Sequence, residues 1–236
     1  MKEILILLPA KAASTRLKLK NMQLLRGKPL LQWAIDCAKE AQLDADILVS
    51  SESNEIIQFA LSQNILIQQR PEKLAVDPAG VVDVALYVLS ELESQGKHYQ
   101  TLIILLPTCP FRTAEDVQQA LKLYEQEHAH FLMSVSEYSH TPFAAMKLDE
   151  SGILDPFFPD YIGKKSQQMP KAYRANGAIH ILNVETFKKE KSYYAQPLIG
   201  YTMPAERSID IDNASDLNYA DFIIQAKSPH LSNSGN

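Results

Sequence analysis

The chain reads as one α/β domain built on a mostly parallel sheet, and three features predict that class. From Ile4 onward, apolar β-rich runs alternate with amphipathic stretches, the pattern of βα units. The run TLIILLP at 101–107 is apolar on both faces, as a strand covered by helices on both sides must be. A length of 236 residues, 46% of them hydrophobic, is enough to bury a large core without disulfide or metal staples.

Ile4 to Leu8 is the first strand. Pro29 suits the first turn of a helix over about 29–42, where Leu30, Leu31, Ala34, Ile35, Ala38 and Ala41 recur at helical spacing. DILVSS is the second strand, Ser53 caps the next helix, and ILIQ at 65–68 is a short third strand. A polar loop, RPEKLAVDPAG, leads to a helix from Val81 to Glu93, and TLIILLP then supplies the central strand. Thr113, with Asp116 three residues on, caps the following helix. After FLMSVSE the texture changes: residues 137–175 carry Pro142, Pro156, Pro159 and Pro170, many aromatics and no clean period, which predicts an arm or small lobe. GAIHIL, a short helix over Val184–Lys188, the strand LIGYTM and a helix over Ser215–Ala226 complete a single domain spanning 1–228. The polar tail at 229–236 is expected to be disordered.

Composition removes several functions. The net charge of −5 argues against a nucleic-acid coat, which would be basic over a whole face. Cys37 and Cys109, the two cysteines, are far apart and support neither a disulfide framework nor a four-ligand zinc site. The apolar start of MKEILILLPAK is too short for a signal peptide or a membrane span, so the expected compartment is the cytoplasm.

Three constellations carry chemistry. The first strand runs into a loop with six cations and no acid between Lys11 and Lys28. Counterions for that cluster come from elsewhere in the fold or from a ligand, and a polyphosphate suits such a crevice. In this loop Ser14, Arg16 and Lys20 are the residues to hold phosphate, and small neighbours let backbone amides approach it. In SIDID, Asp210 and Asp212 would project from one face of an extended segment, a pair of hard oxygen ligands suited to Mg²⁺; the plainer reading is a helix cap. In AYRANGAIHI, Asn176 and Gly177 form by default a turn, and Asn176 could supply a ligand or donor beside the metal, with Arg174 two residues away. PTCPFR leaves a central strand, where α/β sheets bind ligands. No phosphate-binding G-x-x-x-x-G-K-[ST] and no G-x-G-x-x-G is present.

These blocks, PAKAASTRLKLKN, GKPLLQWAI, LLPTCPFRTAEDV, SQQMPKAYRANGAIHI and SIDIDNASDLNYA, resemble in order those of the acylneuraminate cytidylyltransferases, also called CMP-sialic acid synthetases, with relatives that activate legionaminic and pseudaminic acids. The resemblance implies a doubly wound, Rossmann-like sheet and a homodimer joined by a protruding arm. It implies transfer of CMP from CTP to the anomeric hydroxyl of a nine-carbon sugar acid, with loss of pyrophosphate. Lys11, Ala13, Ser14, Arg16, Lys20 and Asn21 then form the CTP loop, with Pro107 and Thr108 near the nucleotide. Asp210 and Asp212 become Mg²⁺ ligands, and catalysis falls to them with Arg16 and Lys20. Gln167, Gln168, Arg174 and Asn176 fall near the sugar acid. A CMP-Kdo synthetase and a catalytically decayed paralogue are the alternative readings. Ala12 and Ala13 stand where the family has glycines, which predicts a change in loop conformation or CTP affinity. Thr15 replaces a frequent lysine and Leu106 a frequent glutamine. With Ser166 and Ala144, these departures leave legionaminic acid beside N-acetylneuraminic acid as a candidate substrate.

Overall fold

The computed structural model describes residues 2–14 and 16–227; Thr15 and the 229–236 tail, both singled out above, lie outside the described residues. In chain order the strands are β1 (Ile4–Pro9), β2 (Leu24–Leu25), β3 (Lys28–Pro29), β4 (Ala45–Ser51), β5 (Leu66–Gln69), β6 (Thr101–Ile104), β7 (Phe131–Glu137), β8 (Met146–Leu148), β9 (Leu154–Pro156), β10 (Tyr173–Asn183) and β11 (Leu198–Thr202). The α-helices are α1 (Leu30–Glu40), α2 (Asn54–Ser62), α3 (Val81–Ser94), α4 (Ala114–Gln126), α5 (Val184–Glu190) and α6 (Ala214–Lys227).

Seven strands form one sheet in the order β11-β7-β10-β6-β1-β4-β5. β1 is parallel to β4 and β6, β4 to β5, and β7 to β11, whereas β10 runs antiparallel between β6 and β7. The expected central strand is therefore central. Alternation along the strands feeds two cores. Ile6, Leu8 and Ile103 pack with α1, α2 and α4 on one face; Leu5, Leu7, Leu102 and Ile104 pack with α3 and α5 on the other. Helices on both faces make the sheet doubly wound, as expected. Phe131 and Phe187 are fully buried in the second core, where truncation to alanine costs about 3–5 kcal/mol. No helix among the described residues is long and apolar enough to cross a membrane.

Two features aim the fold at a site. The chain moves outward from β1 to β4 and β5, then returns to place β6 on β1's other side, so the carboxyl ends of β1 and β6 flank a switch in strand order, where open α/β sheets bind ligands. Because β10 is antiparallel, its early residues reach that same end. There its pairing with β7 slips between Ala175 and His180, a bulge that bends Asn176 and Gly177 over the crevice.

Two expectations need correction. Pro29 is the residue before the first turn of α1, with extended ψ of 146°, and does not lie within the turn. SIDID is not a strand: residues 208–212 form a strap whose single described backbone link to the sheet end is Ile211 N donating to Thr108 O at 2.8 Å. The alternation predicted for it survives, since Ile211 is buried with Leu25, Leu30 and Ala220 while both aspartates line the cleft.

The arm leaves the sheet between β7 and β10, where Tyr138 N donates to Ala172 O at 3.0 Å. It holds the antiparallel pair β8–β9, a turn organised by Asp149, and Phe143 stacked on Tyr161 with ring centroids 4.6 Å apart.

Candidate active site

One wall of the crevice is the loop after β1. Ala10 N donates to Ser50 O at 3.0 Å, and Asn21, itself buried, donates from Nδ2 to Lys11 O at 2.8 Å. Neither Ala12 nor Ala13 has positive φ. Alanine is therefore unstrained at both positions. The amides expected to face phosphate are already engaged: Ala12 N and Ala13 N donate to Glu52 Oε1 at 2.7 and 3.4 Å. Leu19, at φ 48°, turns the chain into a short helical turn at Lys20–Met22 and brings Lys20 back across the crevice.

Asp212 meets that lysine. Lys20 Nζ donates to Asp212 Oδ1 at 2.8 Å, and Arg16 Nη1 lies 3.1 Å from Oδ2. The Lys20 hydrogen bond, opposed by partial burial and reinforced by both cations' charges, holds the Asp212 carboxyl below its usual range. Asp210 behaves oppositely: burial pushes its carboxyl up, and the Asp212 charge adds to this, against the Thr108 hydroxyl and Lys20, which favour ionisation. Two adjacent carboxylates thus occupy different environments. Cys109, on the loop after β6, backs them: its Sγ donates to Asn176 O at 3.4 Å and lies 3.9 Å from Asp210 Oδ1. Burial, with the Asp210 charge, pushes the Cys109 thiol up to about 12, so it is a neutral packing group.

Asp210 and Asp212 form a ridge between two clefts. One, of about 230 Å³, is lined by Lys11, Lys20, Asn21, Pro107 and Thr108 and opens toward a neighbouring space bounded by Ala13, Ser14 and Arg16. Every residue expected at the CTP loop is therefore on this side. The other cleft, of about 430 Å³, is lined by Arg174, Gly177, Asp216 and Tyr219 as well as both aspartates. Gly177, at φ +70°, allows the ridge its close approach: a Cβ there would lie 3.3 Å from Leu106 Cδ1 and 3.8 Å from Asp210 Oδ2.

The structure revises two assignments. Asn176 reaches the second cleft, but its amide is spent internally: Oδ1 accepts from Ser134 Oγ and Ala178 N, and Nδ2 donates to Ser208 Oγ at 2.8 Å. It ties β10 to β7 and to the strap, and it leaves no lone oxygen for a metal. Gln167 and Gln168 sit exposed on the arm and line neither cleft, although the arm leaves β7 and rejoins β10 at the same end of the sheet as the site.

Other members of the site carry no local sequence signature. Arg70 pairs with Glu52 at 3.3 Å behind the loop. Arg112, buried and without a carboxylate partner among the described residues, donates to Leu106 O and Ala178 O and so clamps β6 to β10. Asp116 caps α4 as expected and also accepts two hydrogen bonds from Arg207, at 2.8 and 3.0 Å, which anchors the strap from outside. The SIDID pattern announces the strap's paired aspartates but not its anchors, which are distant in sequence.

For a divalent cation, the ridge offers two carboxylates facing one crevice, one already balanced by two cationic side chains, and among the described residues no histidine or thiolate is poised to compete. That hard-oxygen set, with room for water, fits Mg²⁺, which takes one or two protein carboxylates and keeps several waters.

The chain is similar in fold and in sequence to known proteins. The fold matches a solved CMP:2-keto-3-deoxy-manno-octonic acid synthetase complexed with CTP, with a TM-score of 0.72 and 14% identity over 95% of this chain and 99% of that one. It also matches the 4-diphosphocytidyl-2C-methyl-D-erythritol synthase of Anaerococcus prevotii, with a TM-score of 0.66, 12% identity and coverage of 95% and 96%. In sequence, the chain is 30% identical over 226 residues to an N-acylneuraminate cytidylyltransferase of Escherichia coli, covering 95% of this chain and 53% of that protein. It is 29% identical over 216 residues to the CMP-N,N'-diacetyllegionaminic acid synthase of Legionella pneumophila, covering 90% and 92%. The chain thus spans about half the length of the N-acylneuraminate cytidylyltransferases it matches and nearly all of the legionaminic acid enzyme. Residues 5–151, which carry the loop after β1, the Glu52–Arg70 pair and the Pro107–Thr108 turn, match the family described as cytidylyltransferase, and the chain belongs to that family.

Proposed function

We propose that this protein transfers CMP from CTP to the anomeric hydroxyl of a nine-carbon sugar acid, N-acetylneuraminic, legionaminic or similar, and releases pyrophosphate. One observation carries the reading: the Asp210–Asp212 ridge divides a cation-walled cleft from a second cleft edged by Arg174. Such a plan suits a triphosphate on one side and a carboxylated sugar on the other, with the reacting phosphorus between them.

In this scheme Pro107 and Thr108 bound the nucleotide, and Lys11, Ser14, Arg16 and Lys20 line its triphosphate. The sugar hydroxyl oxygen attacks the α-phosphorus and gives up its proton to Asp210 or Asp212, directly or through water, while the bond from that phosphorus to the oxygen bridging to the β-phosphate breaks and pyrophosphate departs. Arg16 and Lys20, which pair with Asp212, turn to the departing phosphates and neutralise charge as it grows there. Asp210 and Asp212 would hold Mg²⁺, which when bound supplies Lewis-acid polarisation of the phosphate. The remaining acceleration is positioning: two clefts meeting at one ridge convert an encounter in solution into a reaction of neighbours. Arg174, exposed at the edge of the second cleft, would receive the sugar carboxylate.

The arm's exposed apolar side chains support a homodimer, in which Gln167 and Gln168 would serve the partner's sugar site. The cytoplasm, where CTP is made, is the proposed compartment.

The test is pyrophosphate release with CTP and Mg²⁺ against N-acetylneuraminic, legionaminic and pseudaminic acids and the eight-carbon Kdo. Release with one nine-carbon acid is the expected result. Silence across the panel, with CTP binding intact, would overturn the reading.

A further inference from the structure

In a loop built to hold phosphate by its backbone, the amides of two successive small residues would face the ligand. Here both are occupied from within the protein. Glu52 Oε1 accepts from Ala12 N and Ala13 N, and Glu52 Oε2 faces Arg70 Nε at 3.3 Å. Arg70 is fixed in turn, with Nη2 donating to Ser50 O at 3.0 Å and its backbone N donating to Ser51 O at 3.0 Å. The side chains of Arg70 and Glu52 are 3% and 11% exposed, so solvent screens the pair weakly.

The placement has a consequence for the cleft. The loop forms one wall and the segment 70–81 another, and Arg70 lines the space between them together with Leu74, Ala79 and Gly80. A carboxylate bonded to the first wall and ion-paired to the root of the second sets their separation. Withdrawing Glu52 to admit a phosphate would leave its charge within a few ångströms of the triphosphate, where like charges repel, and would leave Arg70 buried without its partner.

Building on the cytidylyltransferase reading above, we propose that Glu52, backed by Arg70, is a permanent internal anion in the loop's amide nest. It is a positioning residue that braces the nucleotide cleft and leaves the triphosphate to the side chains of Ser14, Arg16 and Lys20. The same arrangement explains why alanine serves at 12 and 13, since no phosphate oxygen has to approach that stretch of backbone.

The test compares the wild type with Glu52→Ala and Glu52→Gln by calorimetric CTP binding, steady-state kinetics and hydrogen exchange at the Ala12 and Ala13 amides. Glu52→Ala is expected to speed exchange at both amides and to weaken CTP binding about tenfold, the size of a lost charge-assisted hydrogen bond. At saturating CTP its kcat stays within a few-fold of wild type. Glu52→Gln keeps an acceptor without the charge and restores part of the affinity and protection, falling between Glu52→Ala and wild type. Tighter CTP binding in Glu52→Ala would overturn the proposal by making Glu52 a competitor of phosphate, and unchanged exchange would overturn it by showing no brace. If Glu52→Ala is too unstable to purify, Arg70→Lys replaces it, with a smaller loss of affinity expected and a gain again fatal. Failure of the wild type to bind CTP would instead sink the cytidylyltransferase reading, while the exchange contrast still decides the brace.

Discussion

The sheet and the arm treat the same kind of side chain in opposite ways. Phe131 and Phe187, beneath the sheet, are 1% and 0% exposed, whereas Phe157 and Phe158 on the arm are 60% and 40% exposed, with Ile153 and Leu154 each at 59% beside them. The sheet supplies its own cover, because helices follow its strands and return across both faces. The arm is a three-residue pair of strands with short helical turns, too small to bury its own apolar surface. Stability inside this chain therefore belongs to the sheet, and the arm's apolar face is available for association.

Three experiments would break or sharpen that contrast. The largest effect is expected from Asp212→Ala, at a position on the sheet's working end but outside both cores. It should lower turnover roughly 10²–10³-fold, the scale of losing a group that stabilises transition-state charge, and leave the melting temperature within a few degrees. An equally active variant would remove Asp212 from the mechanism.

A smaller effect, on stability alone, is expected from His180, buried against Tyr193 on β10 with Nδ1 unpartnered. Burial lowers its pKa from 6.5 to about 4. The unfolded chain thus takes up a proton near pH 6.5 that the folded chain refuses until about pH 4, so stability falls as pH drops through that window. Denaturant titrations of wild type and His180→Phe across this range should show the fall flattened in the variant. Parallel curves would locate the acid sensitivity elsewhere.

The smallest effect on folding is expected at the arm. Phe157→Ser with Phe158→Ser should change the stability of the single chain by less than about 0.5 kcal/mol, as exposed positions do, while shifting a dimer toward monomer in light scattering. A large loss of stability with no change in mass would mean that the arm is part of the core.

Legibility in the sequence followed range. The strands and helices of the sheet were readable because period and burial coincide: Leu5 and Leu7 face one core, Ile6 and Leu8 the other. Thr113 and Asp116 announced their capping box from a spacing of three. At the site, the cationic loop and the SIDID aspartates were readable because their chemistry is dense within a few residues. The hydrogen bonds of Asn176 were not legible for the opposite reason: they are made to Ser134, 42 residues away, and to Ser208, 32 residues away. Glu52 carries no local signature, since its partners Ala12 and Arg70 lie on separate loops.

The sequence by itself determined the alternating α/β architecture, the cation-rich first loop and the paired acids, since each follows from the side-chain period or from the local density of charge. Only the tertiary structure decided that the aspartates stand as a ridge between two clefts, that Glu52 fills the loop's amides, and that Asn176 is structural. These depend on which strand ends become neighbours, and strand order is a property of the whole folded sheet.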